Sequence, residues 1–176
     1  GVAKKDLHVI VLDHVVPAAS EKTAKGHKAI REYVKNYEIE HFYDIGRGVC
    51  HQVMLEEGLA LPGTLVVGSD SHTCSYGAVG CFATGIDRTE AAALILTGKT
   101  WFKVPQSIRI NITGSFSSGV SAKDFVLQVI NDLGADGAGY KAVEFHGEIC
   151  NLSLADRITI SNMGIEMGAK VAVFPV

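Results

Sequence analysis

The sequence has no C-x-x-C pair, no run of basic residues and no apolar stretch long enough to span a membrane. Each absence excludes something. Cys50, Cys74, Cys81 and Cys150 lack the spacing of a zinc finger or of a ferredoxin-type cluster motif. Lys and Arg number 16 against 19 Asp and Glu, a net charge of −3, which argues against a dedicated nucleic-acid surface. The N-terminus has no signal-peptide layout, and no membrane partner is expected. The expectation is therefore a cytoplasmic protein with reduced thiols. No internal repeat or low-complexity segment is evident. What remains is a globular composition, 47% hydrophobic and 20% charged over 176 residues. That length supports a real core in one domain or two small ones.

Apolar runs and caps set out the elements. Leu7–Leu12, His41–Ile45 and Thr64–Val67 read as strands, the first and third buried. Ser20 opens a helix to about Tyr37, with Ile30, Tyr33, Val34 and Tyr37 on one face. Gly46-Arg47-Gly48-Val49-Cys50-His51 has two of the three glycines of a dinucleotide fingerprint and His51 at the third position. It reads as a tight turn delivering His51. Asp87 to Glu90 looks like a capping box for a helix through Leu96. Ser107–Thr113 alternates strictly, so it is a half-exposed strand, and this change of style after Val104-Pro105 suggests a second domain. Ser121 with Asp124 boxes a helix that Gly134 ends. Ala142–Phe145 is a short strand. Ser153 caps a helix to about Met167, on which Asn162 and Glu166, four apart, share a face. Lys170–Val176 begins another strand whose onward connection is missing, which suggests a piece of a longer protein.

The chemistry gathers at strand ends, where open α/β sheets place it. Asp13-His14 follows the first strand, His51 the second and Asp70-Ser71-His72 the third. A carboxylate beside an imidazole fixes its tautomer and stabilises the imidazolium, which suits proton transfer near neutral pH. Singly, each histidine reads equally as a structural hydrogen bond, and the Asp70 stretch as a polar turn. Three at successive strand ends point to function. His8, His27, His41 and His146 have no such setting and read as structural or surface residues.

Leu12-Asp13-His14, Gly48-Val49-Cys50-His51-Gln52, Pro62-Gly63, Gly68-Ser69-Asp70-Ser71-His72-Thr73, Gly77-Ala78 and Asn162 to Ala169 occur in that order. Together they resemble the aconitase superfamily over nearly the whole chain. Cys74-Ser75-Tyr76-Gly77-Ala78 resembles its branch of 3-isopropylmalate dehydratase and homoaconitase large subunits, of the archaeal or thermophile type. The resemblance implies a fragment of a three-layer α/β/α iron–sulfur domain protein with mostly parallel sheets. Residues 1–104 would be the later part of a first domain, and 105–176 the start of a second. It implies a hydro-lyase that moves a hydroxyl between adjacent carbons of a hydroxy di- or tricarboxylic acid, in branched-chain amino-acid or related biosynthesis. Its 4Fe–4S cluster would act as a Lewis acid.

By the same resemblance, His14 backed by Asp13 would protonate the leaving hydroxyl. His51 paired with Asp70, and His72 backed by Glu166, would face the same oxygen. Ser71, Ser75 and Asn162 would hold the substrate and the cluster surroundings. Ser75 stands where aconitase itself has an asparagine. The cluster cysteines are expected downstream, so no metal ligand and no cluster are expected in these residues. Substrate-binding arginines and a catalytic serine base would come from later segments or from a separate, small swivelling subunit. Two alternatives stand beside this reading. One is a hydrolase binding a divalent metal through the His/Asp cluster, against which the missing H-x-x-x-H pair weighs. The other is a non-catalytic subunit-docking domain.

Overall fold

Three serines start three helices, as their positions predict. In the computed structural model, which describes residues 1–175 and only the backbone of Cys150, Ser20, Ser121 and Ser153 each accept a hydrogen bond from the N–H three residues on. At Ser121 and Ser153 the bond is reciprocated by Asp124 and Asp156, closing two capping boxes. Val176, the last residue of the expected final strand, lies outside the described residues.

The chain forms two compact units that interleave in sequence, residues 1–57 with 88–101, and 58–87 with 102–176. The segment 58–87 packs with the later residues. Its link is the long helix at 71–79, whose close packing on residues 154–173 the sequence pattern does not reveal.

In the first unit, β1 (Val9–Val11) pairs in parallel with β2 (His41–Tyr43), with Ile10 opposite Phe42. Both strands are half-buried, and Leu7 lies outside β1 in a 3₁₀ turn, 68% exposed, so the expected buried run is shorter. Helix α1 (Glu21–Tyr37) turns Ile30, Tyr33 and Val34 inward, but Tyr37 is exposed. The glycine turn leads directly into a helix absent from the sequence reading, α2 (Cys50–Glu56), which buries Val53 and Met54.

In the second unit, β3 (Leu65–Gly68) pairs in parallel with β4 (Phe82–Gly85). Leu65 is 59% exposed, so β3 is not the buried strand expected. It has one strand neighbour, and nothing in its unit covers that side chain. Helix α3 (Arg88–Thr97), of the first unit, buries none of its residues. Strands β5 (Ser107–Ile112), β6 (Ala142–Gly147) and β7 (Val171–Val173) form a parallel sheet in that order. Helices α4 (Ala122–Leu133) and α5 (Leu154–Asn162) cover one face. There Val126 and Ile160 meet Val143, Phe145, Ala172 and Phe174, all fully buried. Phe145 and Phe174 stack with centroids 4.9 Å apart. The alternation read in Ser107–Ile112 is present, and Ser107, Arg109 and Asn111 are exposed on the other face. Among the described residues all strand pairings are parallel, and the class is α/β as expected. Among the described residues no helix is long and apolar enough to cross a membrane.

Residues 71–79 form nine residues of 3₁₀ helix where a loop was expected. Such runs rarely exceed four residues. Here two side chains reinforce the tight winding. Thr73 Oγ1 and Ser75 Oγ donate to the carbonyls of Asp70 and His72, each three residues back, at 2.6 Å. The helix runs along the free edge of β7, where Phe174 N–H donates to Gly77 O at 2.9 Å. A Cβ on Gly77 would overlap the Ala172 carbonyl, and one on Gly164 would overlap the Ala172 methyl. Ala172 thus sits between two glycines, and backbones approach on both sides. Gly77→Ala is expected to destabilise the fold by about 3 kcal/mol or more, because the obstacle is backbone. Urea unfolding of the full-length protein measures this.

Candidate active site

The first unit supplies one carboxylate that organises two histidine segments. Leu12 N–H donates to Tyr43 O at 2.9 Å, extending the β1–β2 ladder and fixing where Asp13 emerges. Asp13 Oδ1 lies 2.6 Å from His14 Nδ1, and Oδ2 accepts the Cys50 N–H at 2.5 Å. The N-cap of α2 is Val49, which has no side-chain cap bond, so Asp13 satisfies a first-turn N–H from another segment. His51 is the next residue of that turn, and its Nδ1 is 3.7 Å from Cys50 Sγ. It is delivered by a helix start, not by the turn alone. The Asp13 carboxylate is 8% exposed and the His14 side chain 70%. A nearly buried anion therefore holds an exposed imidazole. Burial pushes the Asp13 pKa up, but the Cys50 N–H, the His14 ring and the Cys50 thiol outweigh it and hold the acid below its usual range. Cys50 was visible to the sequence reading only as a residue unsuited to a cluster. Its position beside His51 was the signal for its part here.

The second unit supplies His72. Asp70 caps the 3₁₀ helix, its Oδ1 accepting His72 N–H at 2.7 Å. The His72 ring stands between two carboxylates, Nδ1 3.7 Å from Asp70 Oδ1 and Nε2 3.8 Å from Glu166 Oε1. Ser71 Oγ is 3.3 Å from the same Nδ1. Asn162 and Glu166 do not share a helix face. Helix α5 ends at Asn162, and 163–167 tighten to 3₁₀, where residues four apart diverge. Both still reach the 71–79 helix. Asn162 Nδ2 donates to Ser75 Oγ at 3.0 Å, and Asn162 O accepts from Cys74 Sγ at 3.5 Å. Ser75 is fully buried, and its hydroxyl is engaged within the protein by His72 O and Asn162.

Burial pushes the Cys74 thiol up to about 11 and also raises Cys81, which exchanges hydrogen bonds with Thr64. Among the described residues, no group of three or more His, Cys, Asp or Glu side chains is placed to hold a metal ion. What the residues offer is two His–carboxylate systems suited to moving protons.

A parallel α/β chain with these pairs at strand ends matches the aconitase family (aconitate hydratase) over residues 3–176, and it belongs to that family. It is 53% identical, over 95% of its length, to the 3-isopropylmalate dehydratase large subunit 1 of Methanopyrus kandleri. It is likewise 53% identical, over 95% of its length, to the "Probable methanogen homoaconitase large subunit" of Methanosarcina mazei. With the 3-isopropylmalate dehydratase large subunit of Syntrophus aciditrophicus it shares 47% identity over 98% of its length. The chain spans 40%, 43% and 42% of these relatives.

Two outcomes follow from the protonation states. The Asp13 interactions stabilise the fold fully above the unfolded acid's pKa near 3.8 and lose that contribution as pH falls through the lowered folded value. The stability gap between wild type and Asp13→Asn is therefore expected at neutral pH and should close in acid, as read by unfolding at a series of pH values. Cys74 is expected to resist iodoacetamide at pH 8 until the protein is unfolded, with mass spectrometry locating the label.

Proposed function

We propose that the whole protein is a hydro-lyase that shifts a hydroxyl between adjacent carbons of a hydroxy di- or tricarboxylic acid of the 3-isopropylmalate or homoaconitate class. The observation that carries this reading is the nearly buried Asp13 carboxylate holding the exposed His14 ring, in a chain about half identical to large subunits bearing those names. Asp13 stabilises the His14 imidazolium, which protonates the leaving hydroxyl. The carbon–oxygen bond breaks and water departs. A base takes the proton from the neighbouring carbon, and the electrons of that bond become the double bond. Rehydration reverses these events with the carbons exchanged. His51 acts with Asp70, and His72 with Glu166, on the transferred oxygen. Ser71 and Asn162 orient the acid.

The relatives' names call them large subunits, which supports a separate small subunit as partner. Family membership supports a 4Fe–4S cluster in the whole protein, supplying Lewis-acid chemistry and held by residues other than those described here. Residues 1–104 and 105–176 are read as parts of successive domains of that protein.

The test is the full-length protein reconstituted with its small subunit and assayed by ultraviolet absorbance of the unsaturated acid. Turnover of one of these acids is expected, and His14→Asn should lower kcat by roughly 10²- to 10⁴-fold with KM little changed. Full activity in that variant, or no turnover of any hydroxy acid by the intact complex, would overturn the reading.

A further inference from the structure

We propose that Ser75 is a positioning residue that acts through Asn162 and does not touch the substrate; this rests on the hydro-lyase reading for its kinetic consequence and on geometry for the rest. Three observations carry it. Ser75 is 0% exposed, so it offers no surface to a ligand. Its hydroxyl has one proton, given to His72 O at 2.6 Å, and its lone pair accepts Asn162 Nδ2 at 3.0 Å. One buried oxygen therefore joins the backbone of the candidate catalytic histidine to the side chain of Asn162. Asn162 is also held by its carbonyl, which accepts from Cys74 Sγ at 3.5 Å. Adjacent residues of the 3₁₀ helix thus grip the end of α5 at two points, one on the main chain and one on the side chain.

The consequence for Asn162 is an assigned orientation. An amide can present either its oxygen or its nitrogen, and both forms occupy the same space. With Nδ2 committed to Ser75, Oδ1 is the atom turned to a ligand, and the side chain serves as an acceptor there. A group with a hydroxyl or other donor at that point would be recognised, and a bare carboxylate oxygen would be repelled. Without the Ser75 hydroxyl, the amide can rotate and the distinction is lost. His72 is affected less, because Asp70 still holds its N–H.

The experiment uses full-length protein selectively labelled with ¹⁵N-asparagine, the Asn162 side-chain signal being assigned by its absence in Asn162→Ala. In Ser75→Ala the Asn162 side-chain amide is expected to exchange its hydrogens roughly tenfold faster or more, the scale of one lost hydrogen bond. Ser75→Thr, which keeps the hydroxyl, should preserve slow exchange. Should Ser75→Ala fail to give a cooperative thermal transition, Ser75→Cys, close in volume and a weak acceptor, is expected to give the same acceleration. An unchanged Asn162 exchange rate in folded Ser75→Ala or Ser75→Cys overturns the proposal, whatever their activity. In the assembled enzyme, Ser75→Ala should lower kcat/KM roughly tenfold. The double variant with Asn162→Ala should fall no further than Asn162→Ala alone. Multiplicative losses overturn the proposal by showing that Ser75 acts separately. A responsive Asn162 signal in a protein that turns over no hydroxy acid would leave the positioning role standing and remove the hydro-lyase reading.

Discussion

The close approach of two backbones around Ala172 is the constraint on which the second unit depends. A strand edge exposes unpaired amides that must find acceptors. At β7 the partner is a 3₁₀ helix in place of another strand, and Phe174 N–H bonds Gly77 O. A helix can lie this near a strand only where a residue has no side chain, and Gly77 and Gly164 both face Ala172. The apolar contacts of Phe145, Ile160 and Phe174 then assemble around a fixed spacing. The same spacing brings Ser75 to Asn162 and His72 to Glu166. Packing and chemistry share one tolerance there, and a shift of one would displace the other.

Electrostatics is arranged differently in the two units. In the first, one nearly buried carboxylate serves two tasks, satisfying a helix start and holding His14. Asp13 therefore cannot be tuned for one task alone. In the second, His72 has carboxylates on either side of its ring, each just under 4 Å away. That distance is too long for a tight hydrogen bond. His14 is bound more firmly than His72.

The sequence showed its helix starts clearly, because Ser20, Ser121 and Ser153 act locally and their partners lie three residues away. The alternation of Ser107–Ile112 was legible for the same reason. Helix α2 was hidden because its cap comes from Asp13, 37 residues earlier, and β4 because Phe82-Ala-Thr-Gly85 has no apolar run. The 3₁₀ helix has the composition of a loop, since Ser, Asp, Thr and Gly are turn residues and only the donations to carbonyls three residues back mark the winding. Of the site, Asp13-His14 was apparent because the two are adjacent. His72 with Glu166 came through resemblance. The inward turn of Ser75 and the cap bond at Cys50 depend on tertiary placement, which no local pattern encodes.

His72 has both of its peptide groups tied down within its own helix, the N–H by Asp70 and the carbonyl by Ser75. Only the two torsions of its side chain remain to be set when a ligand arrives. Fixing a backbone residue costs about 1–2 kcal/mol of conformational entropy, and here that cost is met when the chain folds. What the main chain leaves unset is the imidazole alone, and the backbone that carries it is already in place.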